Sequence, residues 1–498
     1  MFHYSSSKQQ SLFDFRTPFL NRLNPENRWV KLAHILDWDE LADLFSRSFS
    51  STQGAPSLDA RISLGVLIIK HLERKSDVET IEIIQENPYM QYFIGLDEFT
   101  TLPVCDPSTL THIRKRLNNE ILDQMNQLVI AKALEMNNKQ DENCENKDQN
   151  KGDKDQKPPT ELSNKGKLQL DATVADVNIS YPTDLDLLND SRIKGDEIID
   201  KLHRIYKLEK RPRTYRQVAQ KIFLNVAKKK NKSIKQIRSA IRNLTSCLGR
   251  NIKIITEILT KHGLSQLTKQ EYKYFLVSQE VHRQQVEMYK EKKNNVSHRI
   301  VSIHQPHIRP IVRGKKGPKK TEFGPKINLM LVAGYSRLSH FEFEAFNEGI
   351  QLEEQVEMYR AFHGYYPELV QTDKIYLTHA NRKYLKDRNI RHIGTPLGRP
   401  KIEEKTRKEK AQDRKERNER NKIEGVFGLA KTKYGLNKIL AKLPKTQETW
   451  VASIFFVMNI LKLVKDIFVQ IFYTLFFIIF LSKKTFSVEP KLIFRCKV

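Results

Sequence analysis

The sequence predicts an α/β domain interrupted by a large helical insertion and preceded by a small all-helical module. Three observations predict this. Residues 137–159 (NNKQDENCENKDQNKGDKDQKPP) contain no large apolar side chain, cannot bury a core, and so separate two folded parts. Upstream, the apolar spacing is helical. Downstream, an alternating segment at 167–175 is followed by long charged helices, and strand patterns return only after residue 322. The expected divisions are a helical module at 1–135, a flexible polar linker at 136–165, an α/β domain at 166–445 with its helical insertion at about 185–300, and an apolar C-terminal helix and tail at 446–498.

In the first module, Ile62, Leu64, Leu67, Ile68 and Leu72 recur at helical spacing over 58–72. Ser76 and Asp77 then read as the cap of a second helix running to Glu86, with Glu79 on its first turn and Pro88 breaking it. Asp106, Pro107 and Ser108 open a third helix over 109–117 that carries Arg114, Lys115 and Arg116. Short helices ending on basic residues suit DNA docking, and they suit any small helical bundle equally.

The α/β part opens with the strand KLQLDATVA, which contains Asp171. Helical patterns follow at 196–208, 214–230, 233–262 and 269–293, with basic faces such as Lys228, Lys229, Lys230 and Lys232 that read as solvated surface. Strands are expected at 326–334 and 341–346, a helix at 351–362, and a short strand at 369–373 ending in Asp373. A helix at 379–388, a strand at 390–393 and a long charged helix from Glu403 to Lys433 complete the order.

Composition bounds the chemistry. A chain of 498 residues suits about two to four domains. A formal net charge of +27 repels itself in a compact protein and points to a polyanionic partner, most often nucleic acid, although a lysine-rich proteome would also drift basic. The four cysteines, Cys105, Cys144, Cys247 and Cys496, form no CxxC pair, which excludes a zinc ribbon and a disulfide scaffold and suits free thiols in a reducing cytoplasm. MFHYSSSKQQ lacks the pattern of a signal peptide. The segment 467–481 is apolar except for Gln470 and Thr474, but it is shorter than the roughly 20 residues of a membrane span. A buried terminal helix is the expectation there, and a membrane partner is not.

Three acids stand out. Asp171 sits among leucines inside a strand, where a charge is costly unless it is paired or binds a cation. Asp373 ends the strand LVQTD, and Glu424 lies on the long helix where Val426, Phe427, Leu429 and Ala430 turn its far side apolar. Phosphodiester chemistry with two metal ions about 3.5–4 Å apart needs oxygen ligands of this kind from separate elements. Arg420, Glu424 and Lys431 share one face of a helix.

The segments carrying these residues resemble bacterial insertion-sequence transposases of the DDE class, the broad group around insertion-sequence families four and five. In the first module the resemblance rests on SLGVLIIKHLERKSDVETIEIIQENPYMQYFIGL and CDPSTLTHIRKRL. Further on it rests on LDATVADVNISYPTDLDLLNDSR around Asp171, RPIVRGKKGPKKTEFGPK, TDKIY around Asp373, and RNKIEGVFGLAKTKYGL, which matches an Arg-x3-Glu-x6-Lys signature at Arg420, Glu424 and Lys431. The resemblance implies an RNase H-like catalytic domain in which Asp171, Asp373 and Glu424 hold two Mg²⁺ or Mn²⁺. It also implies cleavage at transposon terminal inverted repeats, transfer of the freed 3′-hydroxyl into double-stranded target DNA, and a homodimer in the synaptic complex acting at the nucleoid. The alternative is a transposase-derived DNA-binding protein without catalysis.

The chain departs from the family pattern in three places. Arg417 stands where the full signature has Tyr, so a hairpin intermediate is not implied. The helical insertion lies between Asp171 and Asp373, and Ile375 with Tyr376 replaces the usual Gly-Tyr, which tightens the turn after Asp373. Outside the acids, Arg309, Arg313, Lys315, Lys316, Lys319 and Lys320 form a basic loop expected to track phosphates, against the alternative of a solvated loop. His304, His307, His340 and His363 lack metal-ligand spacing and read as structural or surface groups. No phosphate-cradling P-loop is present at 314–317, so ATP use is not expected.

Overall fold

A computed structural model describes residues 15–17, 22–49, 57–145, 163–312, 321–394 and 406–485, with 137–145 and 470–485 as backbone only. The first module holds seven described helices: α1 (Arg28–Ile35), α2 (Trp38–Ser46), α3 (Ala60–Glu73), α4 (Asp77–Glu86), α5 (Pro88–Phe93), α6 (Thr109–Arg116) and α7 (Asn119–Glu145). Local chemistry sets their starts. Ser76 and Glu79 form a reciprocal capping box on α4. Asn87 caps α5, whose first residue is Pro88, so the proline starts a helix as well as ending one. Helices α1 and α2 are capped by Asn27 and Asp37. Helix α7 runs to Glu145, into the segment expected to be linker, because a helix already packed upstream adds turns at little cost even where no apolar residue remains.

The second part contains β1 (Lys167–Val174), then α8 (Asp184–Tyr206), α9 (Arg216–Ala227), α10 (Ile234–His262) and α11 (Lys269–Glu291). A small hairpin of β2 (Pro310–Val312) and β3 (Thr321–Phe323) precedes β4 (Lys326–Val332) and β5 (Tyr335–Glu342). Then come α12 (Leu352–His363), β6 (Leu369–Gln371), α13 (His379–Asp387), β7 (Arg391–His392), α14 (Arg407–Lys433) and α15 (Pro444–Thr485). The main sheet has the order β5-β4-β1-β6-β7. Strand β4 runs antiparallel to both β1 and β5, whereas β6 and β7 continue parallel from β1. Ala333 and Gly334, both at positive φ, close the two-residue turn between β4 and β5. That turn starts β5 at Tyr335, earlier than the strand expected at 341–346.

The insertion α8–α11 builds its own two apolar clusters, around Leu188, Leu244 and Val281 and around Ile199, Leu202 and Ile255. Helix α8 starts at Asp184, ahead of the expected 196, because Thr183 caps it and Leu185, Leu187 and Leu188 are buried. The apolar C-terminal helix expected from 446 starts at Pro444, and its first half is a central packing element. Val451, Ile454, Phe455 and Ile460 are buried in one cluster with residues of α3, α7, β4 and β5. Among the described residues no helix is long and apolar enough to cross a membrane.

Polar bonds register this junction. The Asn459 amide donates to Asn126 Oδ1 at 2.7 Å and Ser336 O at 2.6 Å, and accepts from Ser336 N at 3.0 Å. Beside it, Arg337 donates to both carboxylate oxygens of Asp123, at 2.8 and 2.7 Å. Asn459→Ala strips partners from these buried groups, and an unsatisfied buried polar group costs about 1–3 kcal/mol. Thermal unfolding should show a clear fall in Tm for Asn459→Ala, with Val469→Ala, an exposed site on the same helix, near wild type. Equal melting temperatures for the two variants would mean the Asn459 bonds do not join module and sheet.

Candidate acidic active site

Strand β1 holds Asp171 on the same face as Gln169, two residues before it, as the alternation of a strand requires. Strand β6 lies parallel beside it with Gln169 opposite Gln371, and Asp373 follows two residues after Gln371. Helix α14 crosses this face. Gln169 Nε2 bonds the Glu419 carbonyl at 2.9 Å, and Lys167 Nζ pairs with Glu419 at 2.6 Å. The next residue, Arg420, ion-pairs through Nη1 with Asp373 and through Nη2 with Glu424 at 3.2 Å. One guanidinium therefore stands between two of the three acids singled out in the sequence.

Asp171 is partly buried, and its carboxyl Oδ1 accepts from the Ala172 N–H at 2.9 Å. Burial pushes its pKa up to about 6, and the nearby carboxylates of Asp373 and Glu348 push the same way, against the Ala172 hydrogen bond and the Arg420 charge. Glu348 was not singled out in the sequence. It opens a 3₁₀ turn, Glu348–Gln351, and pairs with Lys326 Nζ at 2.8 Å. Nothing in its sequence context marks it, since only the fold of 343–348 returns it to the acids. After Asp373 the chain forms a 3₁₀ turn, Lys374–Tyr376. Tyr376 is fully buried, and its hydroxyl donates to Asn328 Oδ1 at 2.8 Å.

These oxygens fit a hard divalent cation: a carboxyl held above its ordinary range among like charges is a site whose ionised form gains from a cation. Among the described residues, no three His, Cys, Asp or Glu side chains already converge as a ligand cage. Arg420 occupies the space between Asp373 and Glu424 instead.

The other candidate residues divide. Lys431 Nζ lies 3.6 Å from Glu322 on β3, so its charge is engaged within the domain. Lys115 and Arg116 are exposed at the end of α6, but Arg114 is placed away from solvent. Its guanidinium makes bonds of 3.0 and 2.6 Å to Asp77, which also takes Lys70 Nζ at 2.8 Å, and it lies over the Trp450 ring. Arg114 is thus a buried link between the first module and α15 rather than an open phosphate contact. Arg313, Lys315, Lys316, Lys319 and Lys320 lie outside the described residues. Arg309 pairs with Glu344 at 2.7 Å. Arg417, in the position of the signature Tyr, lines a basic cleft with Arg382, Lys386 and Arg391. His304 bonds Tyr274 and His307 bonds Gln447, which gives both structural roles.

Residues 18–116 match the family described as a transposase domain (DUF772), and residues 370–461 match the transposase DDE domain. An uncharacterized protein, ORF8 in the nfe locus of Rhizobium meliloti, is 28% identical over 179 residues, covering 36% of this chain and 75% of that protein. No solved structure matches. The two domain matches indicate a transposase and, with the weaker relative, support an insertion-sequence DDE transposase, as the sequence motifs implied.

The Asp171 shift sets a sign for stability. Its folded pKa of about 6 lies above the ordinary 3.8, so the native state binds more protons than the unfolded chain in that window. This group's contribution to stability is therefore fullest below about pH 4 and is lost as pH rises through about 6. Without metal, Asp171→Asn should raise Tm at pH 7 and flatten the Tm–pH curve between those limits. Parallel curves for variant and wild type would overturn the burial assignment.

Proposed function

We propose that the chain is a DDE transposase that cuts its transposon ends and transfers the freed 3′-hydroxyl into target DNA, using Asp171, Asp373 and Glu424. The observation that carries this reading is the Arg420 bridge between Asp373 and Glu424 beside the partly buried Asp171. Residues from three distant parts of the chain meet on one face of a mixed sheet. The order β5-β4-β1-β6-β7, with two parallel strands beyond β1, supports an RNase H-like catalytic domain.

Asp171, Asp373 and Glu424 would hold two Mg²⁺ or Mn²⁺. When bound, these ions stabilise charge at the scissile phosphate and ease deprotonation of the nucleophile. The chain's residues do the rest. Asp171 is deprotonated above about pH 6 and presents a fixed carboxylate, since its strand cannot swing. Arg420 keeps the Asp373 and Glu424 charges from driving α14 off the sheet, and its remaining N–H groups suit a DNA phosphate. In each step one P–O bond forms and one breaks: water displaces the 3′-oxygen, which leaves with a proton, and that 3′-hydroxyl then displaces a 3′-oxygen of the target. Lys115, Arg116, Arg313, Lys315, Lys316, Lys319 and Lys320 supply phosphate contacts that give affinity and salt dependence without base choice. Lys431 steadies α14 through Glu322. Joining two ends calls for a homodimer on double-stranded DNA, working at the nucleoid in the cytoplasm.

The test is cleavage of a labelled duplex bearing the element's own ends, with Mg²⁺, Mn²⁺ or EDTA. Wild type should cut only with metal. Asp171→Asn, Asp373→Asn and Glu424→Gln should bind DNA yet lose more activity than the roughly 10–100-fold typical of losing a metal ligand's outer partner. A variant that cuts like wild type removes that residue from the site. Binding without cleavage under every metal would make the protein a transposase-derived DNA-binding protein.

A further inference from the structure

Two glutamines stand in equivalent places on the neighbouring strands, each two residues before an acid: Gln169 before Asp171 and Gln371 before Asp373. They are register partners in the parallel pair of β1 and β6, and both are buried, Gln371 completely. Gln169 Nε2 donates to Gln371 Oε1 at 2.7 Å and to the Glu419 carbonyl at 2.9 Å. Gln371 Nε2 donates to the Glu416 carbonyl at 2.8 Å. Both carbonyls are mid-helix in α14, where a second lone pair remains free for a side chain.

Two amides under a helix are costly to bury unless they are bonded. Apolar side chains would cover the same area, but apolar attraction is non-directional and lets a helix slide or turn on a sheet. An amide pair aimed at two particular carbonyls does not. The two carbonyls lie a turn apart, just ahead of Arg420 and Glu424 on the same helix.

We propose that Gln169 and Gln371 are positioning residues for strand cleavage: their amides clasp α14 at one register and so set how Arg420 and Glu424 face Asp171 and Asp373. This rests on the reading of those acids as the reaction centre. A slip of one residue along α14 would move Glu424 by about 1.5 Å and turn it by about 100°, and a misplacement of about 1 Å can cost 10²-fold in rate. The clasp acts through the helix and touches neither DNA nor metal.

The test uses the full chain on its end duplex under single-turnover conditions, comparing Gln169→Met, Gln371→Met and Lys167→Met with wild type and Asp171→Asn. Methionine keeps length and volume and removes the bonds. Lys167→Met breaks a half-exposed contact to the same helix turn without touching the clasp. The expected result is a cleavage rate lowered by about 10–100-fold in the two glutamine variants. Their half-saturating DNA concentration should stay close to wild type. Their Tm should fall modestly because a buried amide loses its partner, with rates read well below it, and Lys167→Met should stay within about 3-fold in rate. If Gln371→Met does not fold, Gln169→Met, which retains the Gln371 bond to Glu416, decides. Glutamine variants that cleave like wild type, or that change only DNA affinity, overturn the clasp while the acids stand. Cleavage by Asp171→Asn at the wild-type rate overturns the acidic site, and the clasp with it.

Discussion

Carboxylates crowd the face where β1, β6 and α14 meet, and the surrounding structure answers that repulsion. Asp171 has a rigid strand beneath it and the charges of Asp373 and Glu348 beside it. Left alone, the three would favour separation or protonation. Two internal cations hold them: Lys326 takes Glu348, and Arg420 takes Asp373 while reaching Glu424. The sheet order follows from the same need. A central strand flanked by a parallel and an antiparallel neighbour lets the chain deliver an acid from the middle of β1, another just past β6, and cations from both sides.

Keeping these charges in one place requires that α14 not drift, and several independent contacts hold it. Lys167 pairs with Glu419 at one edge, and Arg391 pairs with the buried Glu416 at 2.8 Å on the other. The buried glutamine bonds lie between them. Farther along, Ile423, Phe427 and Ala430 continue the buried face of Glu416. Glu424, more than half exposed, therefore projects from a helix whose back is fixed.

The first module is tied to the sheet through α15. Its apolar residues form one cluster with α3, α7 and the sheet, and the buried cations Lys70 and Arg114, both paired with Asp77, pack around Trp450. Lys70 is lowered from its ordinary range by that burial, against the pull of Asp77. A basic residue at the end of a short helix thus serves as mortar between two parts of the molecule, whereas its neighbours Lys115 and Arg116 remain at the surface.

Much of this was legible before any tertiary structure. The capping box at Ser76 and Glu79, the helices of the insertion, the strand that carries Asp171, and the helix carrying Arg420 and Glu424 follow from periodicity, caps and breakers, which act over a few residues. The strand expected to end in Asp373 stops instead at Gln371, because Asp373 opens a 3₁₀ turn. The acids drew notice because a charge inside an apolar strand needs a reason. What local pattern could not settle is which face meets which. Arg114 and Lys115 are adjacent and equally basic, yet one is buried because α15, distant in sequence, covers it. Glu348 joins the acids, and Lys431 finds Glu322, only once β3, β4 and α14 have packed. The two glutamines look like ordinary polar strand residues until a helix carbonyl arrives above each. By itself the sequence determined the elements and the chemistry they carry, because those depend on neighbours along the chain. The tertiary structure decided burial, pairing and register, because those depend on groups hundreds of residues apart being brought into contact.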